Sequence, residues 1–82
     1  MFEVYIVRGK SGRHYIGMTN DLKARFFQHV NGQTHTTKRL GGGLEIVAHR
    51  PYETRQEAAR VERLLKSWKN PGKAIAFLVG EK

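Results

Sequence analysis

Cysteine is absent from the 82-residue chain, and with it any disulfide framework or thiolate metal cluster. Packing alone must hold the fold, which suits a reducing compartment, and the expected location is cytoplasmic. Long apolar runs are missing too. None approaches the roughly 20 residues of a membrane span, and the opening MFEVYIVRGK reads as a strand rather than a basic-then-apolar signal. Acidic residues are scarce: seven stand against fifteen Lys and Arg, a net charge of +8. A domain this small buries only about 60% of its unfolded surface, so that charge stays at the surface and calls for an anionic partner. Nucleic acid fits, through neutralised phosphates and released counterions. A membrane surface needs a dense basic cluster or a basic helix with a bulky lipid face, and the cations here are spread along the chain.

Other chemistries lack their residues. His14, His29, His35 and His49 show no HxxxH or HxH spacing, which removes the usual zinc site. The triple glycine at 41–43 neither follows a strand nor carries the Lys-Ser/Thr of a phosphate loop. Ser11 and Ser67 sit in no nucleophile elbow. No repeat, low-complexity tract or linker interrupts the chain, so residues 1–82 are expected to form one module.

What is present reads as alternating strands and helices. FEVYIVR at 2–8 is apolar on both sides, the mark of a strand covered on both faces. GKSG at 9–12 is a turn, and RHYIGM a second short strand. A turn centred near Lys10 sets Tyr5 and Tyr15 opposite or nearly opposite each other. Thr19 or Asn20 caps a helix with Asp21 in its first turn and Leu22, Phe26 and Val30 as its buried stripe. Arg25 and His29, 40° apart, border that stripe, and Asn31-Gly32 ends the helix. Residues 32–43 form a long polar loop, and LEIVAHR at 44–50 a third strand. TRQE at 54–57 matches a capping box and starts a second helix. There Ala58, Val61, Leu65 and Trp68 make the stripe, Leu64 widens it, and Arg60, Arg63 and Lys66 face outward. Glu62 falls beside Ala58 at the stripe's edge. Asn70-Pro71 opens a last helix through AIAFLV, a run that also suits a strand. The fold class is α/β (α+β): a three-stranded antiparallel sheet flanked by helices.

Singly, each polar residue has a bland role. Strand tyrosines pack their rings, Arg25 lays its methylenes over apolar neighbours, and Glu62 pairs with Lys66 one turn on. Together, two tyrosines on paired strands, an arginine with a histidine one turn later, and a carboxylate edging a second helix are what phosphodiester hydrolysis uses. Water must be oriented and deprotonated, a fixed cation must meet the charge on phosphate, and a metal neutralises oxygens.

VYI at 4–6, YIG at 15–17, NDLKARFFQH at 20–29 and Glu62 within ARVERLLK resemble the GIY-YIG endonuclease superfamily, most of all its small stand-alone bacterial members. The resemblance covers residues 2–70 and implies metal-dependent endonuclease cleavage of nucleic-acid phosphodiesters, DNA ahead of RNA, structure-directed or weakly sequence-specific, in settings such as DNA repair or recombination. By that likeness the catalytic residues are Tyr5, as general base or its relay, Tyr15, Arg25 and His29. Glu62 is the sole protein ligand of one Mg²⁺ or Mn²⁺. Met18 stands where the repair nucleases carry a lysine, and Asn70 is a candidate for an asparagine some members use. Lys10, Arg13, Lys23, His35, Lys38 and Arg39 are expected to contact nucleic acid. The alternatives are a nucleic-acid-binding module without turnover and a basic adaptor for an acidic protein.

Overall fold

The computed structural model describes residues 1–30 and 43–80. Three strands, β1 (Phe2–Arg8), β2 (His14–Thr19) and β3 (Glu45–Tyr52), form an antiparallel sheet in the order β2-β1-β3. Helix α1 (Leu22–Val30) follows β2, and α2 (Arg55–Trp68) and α3 (Pro71–Val79) follow β3.

β1 is the central strand, and its alternation divides the molecule into two layers. Val4 and Ile6 face one side, where they pack with Ala48, Ala58, Leu65, Ala74 and Leu78 of β3, α2 and α3. Tyr5 and Val7 face the other, with Leu22 and Phe26 of α1 and Leu44 and Ile46 beside them. All four are buried, as a doubly covered strand requires. Trp68 and Phe77 lock α2 to α3 edge-on at 5.6 Å, with Lys73 Nζ 4.5 Å from the indole centroid.

The hairpin turns on Gly9–Arg13: the Gly9 amide donates to Arg13 O and the Gly12 amide to Gly9 O, with Gly12 at φ +87°. Its centre is Ser11, not Lys10, because Arg8 pairs with His14. β3 runs through Pro51, which its position at the sheet edge permits. Between Ile6↔Ala48 and Val7↔Ile46 the register shifts by one residue, leaving Val47 as a bulge.

The caps set the helix starts. Asp21 itself closes α1 rather than occupying its first turn: the Ala24 amide donates to Asp21 Oδ1 at 3.1 Å, while Thr19 Oγ1 accepts from the Asp21 amide. Thr54 accepts from the Glu57 amide at 3.1 Å, the expected cap of α2. Lys69 ends α2 in the left-handed region, φ 51°, and Asn70 then accepts from the Lys73 amide to open α3 with Pro71 in its first turn. AIAFLV is therefore helix. Leu64 does not widen the α2 stripe; it is 42% exposed, one 100° step round from buried Leu65. The expected helix end at Asn31-Gly32 and the loop at 32–43 lie outside the described residues, apart from Gly43.

Candidate active site

The one-residue difference in hairpin centre shifts the pairing by two residues and decides how the tyrosines meet. Tyr5 pairs with Gly17, and Tyr15 with Val7. The tyrosines are therefore diagonal neighbours on one face, ring centroids 6.2 Å apart and planes tilted by 52°. Gly17 makes this possible. A Cβ there would stand 2.6 Å from the Tyr5 hydroxyl, 2.7 Å from its Cζ and 2.8 Å from a Tyr15 ring carbon. The Tyr5 ring thus lies across the glycine with its hydroxyl directed over β2.

Tyr5 is 2% exposed, and its hydroxyl is correspondingly hard to ionise. Burial is the main cause that raises it above the ordinary phenol value; the Tyr15 hydroxyl and the Glu62 carboxylate push the same way, and the Arg25 guanidinium pulls it back. Three side chains, from β2, α1 and α2, thus act on one hydroxyl on β1. Arg25 is exposed on α1, beyond the Leu22 and Phe26 stripe. Glu62 is mostly covered, its side chain 23% exposed, with Oε2 3.5 Å from Lys66 Nζ. Lys66 in turn stands 5.9 Å from the Tyr15 ring centroid, so it bridges the carboxylate and the second tyrosine.

The other expected residues divide. His29 is on the last turn of α1, and its side chain lies outside the described residues, as do His35, Lys38 and Arg39. Lys10 and Arg13 are exposed at the hairpin turn. Lys23 lies about 200° round α1 from Arg25, beside Glu3 and Asp21, away from the Tyr5 hydroxyl. Met18 packs into the layer of α2 and α3, on the opposite sheet face from Tyr5 and Tyr15. A lysine there, with this register, points away from the tyrosines.

Three features escaped the sequence reading. Gly17 as the seat of the Tyr5 ring follows once the hairpin is centred on Ser11. The contact of Lys66 with Tyr15 carries no sequence signal, because it depends on how α2 crosses β2. His49, the Cα partner of Tyr5 on β3, is held 2.8 Å from Glu3 Oε1, on the side away from Gly17.

Among the described residues no three His, Cys, Asp or Glu side chains converge as a metal cage. A single covered carboxylate suits a divalent ion that keeps most of its water shell. Glu62 and Glu3 are both mostly covered, and of the two it is Glu62 that acts on the Tyr5 hydroxyl.

Comparison with known families decides the class of protein. The model of the GIY-YIG catalytic domain matches residues 1–75. The chain belongs to the GIY-YIG family. That assigns it to a family of nucleases, which act on nucleic acid and generally use a divalent metal ion. Among its relatives is the UPF0213 protein of Xanthomonas campestris, 37% identical over 65 residues, 79% of this chain and 64% of that protein. The chain's match therefore spans less than two thirds of that relative. A UPF0213 protein of Staphylococcus epidermidis is 32% identical over 65 residues, 79% of each. The solution NMR structure of the UPF0213 protein of Bacillus halodurans superposes with a TM-score of 0.56 at 31% identity, covering 89% of this chain and 79% of that one. The GIY-YIG fold, among the described residues a three-stranded antiparallel sheet with three helices, is shared with it. Among the described residues no helix is long and apolar enough to cross a membrane.

Proposed function

We propose that the chain is a divalent-metal-dependent endonuclease that hydrolyses DNA phosphodiester bonds, with Tyr5, Tyr15, Arg25 and Glu62 as its working set. The carrying observation is that the groups acting on the buried Tyr5 hydroxyl of β1 are Tyr15, Arg25 and Glu62, drawn from three further elements, β2, α1 and α2. The Arg25 guanidinium is placed to meet the charge that develops on a scissile phosphate. Tyr5, held protonated by burial, orients the attacking water through its hydroxyl and relays a proton onward rather than holding a phenolate at neutral pH. Tyr15 and Lys66 keep the hydroxyl and the carboxylate in register. Glu62 would hold one Mg²⁺ or Mn²⁺, which when bound supplies positive charge for the phosphate oxygens, the leaving oxygen included.

The reaction is attack of water on phosphorus with rupture of the bond to the leaving alkoxide. His29 is a second candidate to take the water's proton, one helical turn from Arg25. The remaining cations, Lys10, Arg13, Lys23, His35, Lys38 and Arg39, supply sequence-independent affinity that falls with salt. Residues 1–82 act as a single module, DNA structure sets the substrate ahead of base sequence, and the setting is repair or recombination in the cytoplasm.

The test incubates metal-free protein with branched, flapped and plain DNA, with and without Mg²⁺ or Mn²⁺. Cleavage that appears with metal, disappears on chelation and is lost in Glu62→Ala supports the reading. Cleavage that survives chelation, or that Glu62→Ala leaves unchanged, overturns the mechanism. Salt-sensitive DNA retention without cleavage under any metal supports the binding-module alternative.

A further inference from the structure

A recess opens on the outer edge of β2, where that strand meets the junction of α2 and α3. Its volume is about 340 Å³, and its floor is apolar, made by Ile16, Leu65 and Pro71. Its rim carries Lys66 and Lys69, and one wall is the Tyr15 ring. The recess therefore begins at a tyrosine of the proposed active site and runs away from it under two cations.

We propose that this recess holds one unpaired nucleotide of the strand being cut, adjacent to the scissile phosphate, with Lys69 contacting its phosphate. The proposal rests on the nuclease reading above and adds where the substrate strand runs. Three observations carry it. The volume is at the small end of ligand recesses, about 300–1,000 Å³, enough for a single nucleotide and too small for a base pair. An apolar floor with an aromatic wall under a cationic rim is the combination that takes bases and backbone of single strands without sequence preference. Lys69, finally, occupies a left-handed position, φ 51° and ψ 36°, where Gly or Asn is usual. A lysine at a backbone position that favours glycine points to a use for its side chain, and the recess lies beside it.

That conformation also supplies a clean variant. Lys69→Gly removes the cation while relieving the backbone, so its melting temperature is expected to equal or exceed that of the wild type; Lys69→Asn, which tolerates the same region, is the second variant. Binding of a fluorescent single-stranded oligonucleotide and of the blunt duplex of the same sequence is followed by anisotropy, in chelator so that nothing is cut, across a salt series. Both variants are expected to bind the single strand at least threefold more weakly, with a smaller loss on the duplex. The slope of log affinity against log salt for the single strand should flatten by about 0.7, one phosphate contact. A loss under threefold on the single strand, or an equal loss on the duplex, overturns the proposal. Wild-type protein that binds the single strand no better than the two Lys69 variants do overturns this proposal alone. Wild-type protein that retains no DNA even at low salt overturns the nuclease reading with it.

Discussion

The Tyr5 hydroxyl lies over Gly17, 2.6 Å from where a Cβ of that residue would stand. The glycine of the YIG triplet is thus a vacancy shaped by the first tyrosine, and the second tyrosine closes it from the side. Gly17→Ala forces the Tyr5 ring off its seat in a packed layer. We expect a loss of about 1–3 kcal/mol, read by thermal melting at about 4–8 °C per kcal/mol for a domain of this size. Cleavage should fall more than the melting temperature explains, because the hydroxyl moves with the ring.

Burial of two tyrosines predicts alkaline lability. Tyr5 and Tyr52 both have hydroxyls raised above the ordinary phenol value, chiefly by burial. Below about pH 10, the ordinary value, both states keep these protons and no stability difference arises. Above it the unfolded chain releases protons that the folded chain retains, so stability falls as pH rises, by at most about 1.4 kcal/mol per pH unit for each group. Denaturant unfolding between pH 8 and about pH 11 should show this decline, and Tyr5→Phe should make it shallower. An identical slope in that variant contradicts the assignment.

Glu62 and Lys66 form a partly exposed i,i+4 pair, whose worth to stability is about 0.3–0.5 kcal/mol. Glu62→Ala should therefore melt within a few degrees of the wild type while losing metal-dependent cleavage by about 10²-fold or more. Lys66→Met removes a competing charge from the carboxylate. The bare Coulomb attraction at that separation in water is about 1 kcal/mol, which sets the upper limit: Mn²⁺ should bind up to about fivefold more tightly, a change that calorimetry resolves.

Asn70 has an observed structural task, accepting from the Lys73 amide at the start of α3. Asn70→Ala should cost about 1 kcal/mol, and Asn70→Ser should recover most of it. If both variants melt alike at the wild-type temperature, the cap contributes nothing to stability.

Much of this architecture is legible in the residues. The alternation of Val4 and Ile6 against Tyr5 and Val7 announces a central strand, TRQE starts α2, and Asn70-Pro71 starts α3, because each signal is local. Less local features were not. GKSG does not say whether Arg13 belongs to the turn, and that choice moves Tyr15 from opposite Tyr5 to diagonal from it. Val47 bulges within an unremarkable run, since a bulge is set by the partner strand. Leu64 passes for core by composition and fails by angle. The tyrosines, Arg25 and Glu62 are recognisable as a set from their motif, whereas Lys66 and Lys69 gain their place only from the crossing of α2 over β2.

The central claim is that Glu62, Tyr5 and Arg25 serve one phosphate at one ion. A high-resolution crystal structure of protein soaked in Mn²⁺ tests it most directly. The account predicts an anomalous peak on the Glu62 carboxylate, within about 8 Å of both the Tyr5 hydroxyl and the Arg25 guanidinium, a span that leaves room for one phosphate. A Glu62 carboxylate that stays on Lys66 at saturating Mn²⁺, or an ion bound at a site remote from Tyr5, contradicts it.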